Sequence, residues 1–126
     1  MKSLFVFSVR SGMPETYPQL LPRLGIKQDD CLFARDPDPT AEMFKGKPRK
    51  YDVYVVDIMT TGADQHLAII RAIRSAHGDG KILALGSGKE FAAPAEQAGA
   101  DTFMCFGDGS LKEAIEQLAP TEAPVG

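Results

Sequence analysis

Asp57 closes the most continuous apolar run of the chain, Tyr51-Asp52-Val53-Tyr54-Val55-Val56-Asp57. Such a run suits a strand buried on both faces, and a carboxylate at its end has two uses. It can serve a site beyond the strand as a nucleophile or charged anchor. Alternatively it caps the following turn, for which Thr60-Thr61-Gly62 supplies local donors. Arg10, just past the first apolar run, is a cation that can pair with Asp57. Gly86-Ser87-Gly88 and Gly107-Asp108-Gly109 let backbone approach a phosphate or cofactor closely, and they are also plain turn residues.

The rest of the chain offers little for catalysis. It has no Ser–His–Asp set, no Cys with a nearby His and no metal-ligand cluster, so no enzymatic turnover is expected. His66, early on a helix, and His77, near its end, are read as solvated. Lys45-Gly46-Lys47-Pro48-Arg49-Lys50 reads as a solvated loop feeding a strand, with an acidic partner as the alternative. Phe91, Met104 and Phe106 fall around the fourth helix and fifth strand and form the candidate interaction surface.

These residues sit on alternating elements. Strands are expected at Leu4–Val9, Cys31–Ala34, Tyr51–Asp57, Lys81–Leu85 and Thr102–Phe106, separated by helical patterns at 40–45, 63–76, 89–98 and 110–118. Pro14, Pro18 and Pro22 recur every four residues, which predicts a short, kinked or late-starting first helix near 17–24. The pattern implies an α/β fold, a flavodoxin-like doubly wound five-stranded parallel sheet of order 2-1-3-4-5 with helices on both faces. That order puts Cys31 and Cys105 on opposite edges, about 19 Å apart at ~4.8 Å per strand, too far for a disulfide. Both are read as buried small hydrophobes.

A chain of 126 residues, 44% hydrophobic and 25% charged, fits one domain. No apolar run approaches the ~18 residues of a membrane span, and the start lacks the pattern of a secretory signal. A soluble cytoplasmic domain is the expectation. The net charge of −3 hides an asymmetry: the first 28 residues carry four cations against Glu15 alone, net +3, while the remaining 98 carry −6. No strongly basic face points to nucleic acid.

The third-strand run through Asp57-Ile58-Met59 and the later Ala98-Gly99-Ala100-Asp101-Thr102-Phe103 resemble the response-regulator receiver (CheY-like) family. The resemblance implies that Asp57 is the phosphoacceptor and Phe103 the aromatic partner on the fifth strand. It also marks departures. The acid pair that helps hold Mg²⁺ in the family matches Ser8 and Val9, followed by Arg10. The family's Lys after the fifth strand matches Phe106, with Gly107 in place of proline. The hydroxyl residue after the fourth strand matches Gly86, with Ser87 one step on. An atypical or pseudo-receiver is the expectation, with Ser8, Arg10, Ser87, Phe103 and Phe106 as the pocket around Asp57. Phosphoryl transfer relies on charge neutralisation that these replacements remove.

The chain is therefore read as a receiver-like domain over 1–119 with a flexible tail or linker start over 120–126. It acts through a protein partner in a signalling pathway, with homodimerisation as a further option, and without nucleic acid or membrane. No catalytic residue, metal or cofactor is assigned; Mg²⁺ enters only if Asp57 accepts phosphoryl after all, aided by compensating residues such as Lys89 or Arg10. A second alternative is a small-ligand domain: the chain from Asp57 to Leu118 also resembles cobalamin-binding flavodoxin-like domains, and a flavin or nucleotide is a further option, although no phosphate-binding Gly-rich loop follows the first strand. The Asp-x-His-x-x-Gly loop of the cobalamin domains is missing, since Arg10-Ser11-Gly12-Met13-Pro14 holds no His.

Overall fold

The computed structural model describes residues 2–10, 13–105 and 107–119. Five parallel strands, β1 (Leu4–Phe7), β2 (Cys31–Ala34), β3 (Val53–Ile58), β4 (Lys81–Gly86) and β5 (Thr102–Cys105), lie in the order β2-β1-β3-β4-β5. The helices are α1 (Met13–Leu24), α2 (Pro37–Met43), α3 (Ala63–Ala76), α4 (Ala92–Ala98) and α5 (Leu111–Leu118). The expected fold class and strand order are those observed. The expected tail, 120–126, lies outside the described residues, as does Phe106.

Strand alternation divides the core in two. Leu4, Val6, Val53, Val55, Leu83 and Leu85 meet Tyr17, Leu21 and Leu24 of α1 and Ile115 of α5. Phe5, Phe7, Tyr54, Val56, Ile58 and Ile82 meet Ile69, Ile70 and Ile73 of α3, with Ala95 and Ala98 of α4. By the same alternation Ser8 and Asp57 belong to the α1–α5 side, at the carboxyl ends of the strands.

The first helix differs from expectation: α1 is one 12-residue helix containing Pro18 and Pro22. Both prolines are exposed, while Tyr17, Leu21 and Leu24 are buried. Their four-residue spacing puts both missing N–H groups on the solvent side, where water can satisfy the freed carbonyls. The helix stops at Gly25, whose φ of 73° is the left-handed region, with Ile26 N–H donating to Leu21 O at 3.0 Å. The second helix starts earlier than expected, because Asp36 caps it by accepting from Asp38 N–H at 3.2 Å and Pro37 occupies its first turn. Before α4, residues Lys89–Phe91 form a single 3₁₀ turn, so the helix proper begins at Ala92.

Arg74, on α3, ties three loops together. Its Nε and Nη2 donate to Gly99 O at 3.0 and 2.6 Å, and its Nη1 donates to Gly78 O and Gly80 O at 2.9 Å each. Nη2 also reaches Asp101 Oδ2 at 2.9 Å, an oxygen that accepts from Ile82 N–H at 2.8 Å. The basic loop before β3 is exposed and paired: Lys45 with Glu42, Arg49 with Asp30, Lys50 with Asp79. Cys31 and Cys105 sit on the two edge strands as free thiols, each half-buried rather than buried.

Candidate functional site

Asp57 and Ser8 are both fully buried where β3 and β1 end. Ser8 Oγ donates to Asp57 Oδ2 at 2.9 Å, and Arg10 Nε meets the same oxygen at 2.5 Å. Ser8 is itself held: its N–H donates to Ala34 O at 3.0 Å, and its Oγ accepts from Arg10 N–H at 3.2 Å. The short Ser8-Val9-Arg10 segment thus forms a bracket that aims a hydroxyl and a guanidinium at one carboxylate oxygen. The other oxygen, Oδ1, is buried and has no hydrogen-bond partner among the described residues. The turn-capping use of Asp57 is not what the structure adopts, because its hydrogen bonds run to Ser8 and Arg10 in the segment after β1.

A buried carboxylate is costly unless paired. Here Arg10, with 21% of its side chain exposed, pairs with a carboxylate that has none exposed. Burial and, next, the Asp57 charge hold the Tyr17 phenol above its ordinary pKa.

The other pocket residues are placed less directly. Asp57 pairs across the sheet with Leu85, and Ile58 with Gly86, so Gly86 stands one step beyond the carboxylate. Ser87 is exposed in the following turn. Phe103 is half-buried, and its ring lies against Gly86 on the α3–α4 side of the sheet together with Phe91. Met104 packs against the opposite core cluster, beside Leu111 and Leu118. Phe91 and Met104 therefore lie on different faces of the sheet.

Both histidines depart from expectation. His66 is 2% exposed, its ring 5.1 Å from that of Phe7, and its Nδ1 accepts from Met59 N–H at 3.0 Å. It falls on the apolar stripe of α3 with Ile69, Ile70 and Ile73, at a spacing that the sequence displays. Burial lowers its pKa, and the Asp57 charge acts in the opposite direction. His77 is half-buried, stacked on Tyr54 with centroids 5.9 Å apart.

Neither a family model nor a curated protein matches the chain. Its fold is that of response-regulator receiver domains. A response regulator from Burkholderia pseudomallei, solved with a phosphorylated aspartic acid, calcium ion and citrate, is similar with a TM-score of 0.73 at 22% identity, over 98% of this chain and 69% of that one. A Thermotoga maritima response regulator in complex with Mg²⁺ and BeF gives 0.72 at 24% identity, over 94% of this chain and 99% of that one. A CheY-like receiver domain from Methanospirillum hungatei gives 0.73 at 12% identity, over 94% of this chain and 90% of that one.

The residues around Asp57 do not fit a divalent cation. Mg²⁺ takes hard oxygen ligands in near-octahedral geometry. Among the described residues, the side chains that bond to Asp57 are one hydroxyl and one guanidinium, and the guanidinium sits on the carboxylate oxygen. Among the described residues no group of three or more His, Cys, Asp or Glu could hold a metal ion.

Proposed function

We propose that this chain is a receiver-like signalling module that acts through contact with a protein partner, with Arg10 as a built-in counter-ion to Asp57. The observation that carries this reading is the 2.5 Å contact between Arg10 Nε and Asp57 Oδ2. Phosphoryl transfer needs positive charge on the phosphoryl oxygens. Here the cation at the site is already committed to the aspartate itself, and Ser8 Oγ donates to the same oxygen. The module is not an enzyme and carries no cofactor in this reading. A cytoplasmic setting is part of the same proposal; among the described residues no helix is long and apolar enough to cross a membrane. The partner surface we assign is the α3–α4 side of the β4–β5 end, around half-buried Phe91 and Phe103.

The test is incubation of the full chain with Mg²⁺ and a small phosphodonor, or with beryllofluoride, followed by intact mass or NMR. No Asp57-dependent change is expected. A mass gain or spectral shift that Asp57→Asn abolishes would overturn the reading. It would favour a phosphorylatable receiver, for which Asp57 Oδ1, without a hydrogen-bond partner among the described residues, offers a nucleophilic oxygen.

A further inference from the structure

The segment leaving Asp57, residues 59–62, carries a second polar contact independent of Arg10. His66, one turn into α3, reaches back so that Nδ1 accepts from Met59 N–H at 3.0 Å. Its own N–H donates to Gly62 O at 3.0 Å. Gly62 has a φ of 96°, and a Cβ there would stand 3.3 Å from His66 Nε2, so the ring closes over the loop it holds. An imidazole that accepts at Nδ1 must be neutral with its proton on Nε2. Once protonated, both ring nitrogens are donors, and Nδ1–H would face Met59 N–H.

We propose that His66 is a pH-sensitive latch: its neutral form fastens the loop after Asp57, and its protonation releases that loop. The proposal goes beyond the signalling reading and stands whether or not Asp57 accepts a phosphoryl group. The surroundings leave few competing charges. From β3, Asp57 acts on the imidazole and favours its charged form, against the larger effect of burial. From β1, the apolar ring of Phe7 faces it. On its own helix Asp64 is exposed, and Asp38 and Glu42 on α2, the helix beside α3, are exposed as well. Because burial lowers the folded-state pKa, the folded chain binds fewer protons than the unfolded one below the ordinary value of about 6.5. The latch is therefore fully engaged above about pH 6.5 and loosens as pH falls through the lowered folded-state value.

The test is ¹⁵N NMR of the full chain between pH 8 and pH 4.5. At pH 8 the His66 imidazole is expected to carry its proton on Nε2, with Nδ1 showing an acceptor shift. A proton on Nδ1 at pH 8 overturns the proposal. On acidification the protection factor of the Met59 amide should fall about fivefold or more, the ratio for loss of one hydrogen bond. His66→Asn places an amide oxygen near the former Nδ1 position and does not titrate. It should keep Met59 protected across the range. An equal acid loss of protection in this variant overturns the proposal, as does no loss in the native chain through His66 protonation.

Discussion

The ring of Phe103 fills the space in which a side chain at position 86 would begin: a Cβ on Gly86 would stand 2.7 Å from Phe103 Cζ and 2.9 Å from Cε2. Since Gly86 follows the residue opposite Asp57, this contact lies at the same end of the sheet as the carboxylate but on its other face. Overpacking of this kind costs about 1–3 kcal/mol. Gly86→Ala is expected to lower stability by that amount in urea unfolding, and Phe103→Leu should recover much of it. Full additivity of the two substitutions would show that the ring is not the obstacle.

Breaking the buried pair leaves an uncompensated carboxylate. Arg10→Ala is expected to cost about 3 kcal/mol, the lower end of the range for buried pairs because Arg10 is partly exposed. In an Asp57→Asn background the same substitution should cost far less. The coupling is read from a double-mutant cycle by chemical denaturation.

Arg74 serves the carbonyls of Gly78, Gly80 and Gly99 and the carboxylate of Asp101. A lysine has no planar fork to reach them together. Arg74→Lys is expected to lose about 1 kcal/mol and Arg74→Ala at least as much, since the part-buried carbonyls of Gly80 and Gly99 lose their donors. Hydrogen exchange should localise the effect to the turns before β4 and β5.

All three tyrosines are held above their ordinary pKa, chiefly by burial. A phenol raised in the folded state stays neutral while the unfolded chain ionises, so its stability contribution is lost as pH rises above about 10. Tyrosinate absorbance near 295 nm should appear together with loss of far-ultraviolet circular dichroism. Free titration of the folded chain with a midpoint at the ordinary value would contradict this.

The sheet was legible in the sequence because β3 and β4 are apolar on both faces, and only a parallel sheet covered by helices demands that. Pairing of Arg10 with Asp57 was legible too, from a cation after one strand and an anion at the end of its neighbour. The extent of α1 was not: proline propensity assumes that the lost hydrogen bonds matter, and at Pro18 and Pro22 they face water. The burial of His66 was visible in the spacing 66, 69, 70, 73, but a titratable residue is easily assigned to the solvent side. The backward reach of its ring to Met59 depends on the conformation of Gly62, which no periodicity reveals.

The two prolines of α1 also bear on the order in which the molecule assembles. A helix with two interior prolines lacks the local hydrogen bonds that let a turn nucleate and grow alone. It must condense on a surface already formed by β1 and β3. The α3 helix, free of proline and flanked by β3 and β4, has no such handicap. The folding nucleus is therefore expected in β3–α3–β4, with φ-values near zero along α1. Asp57 would be set in place early, and the segment that carries Arg10 into α1 would close on it late, as one of the last steps on the way to the native state.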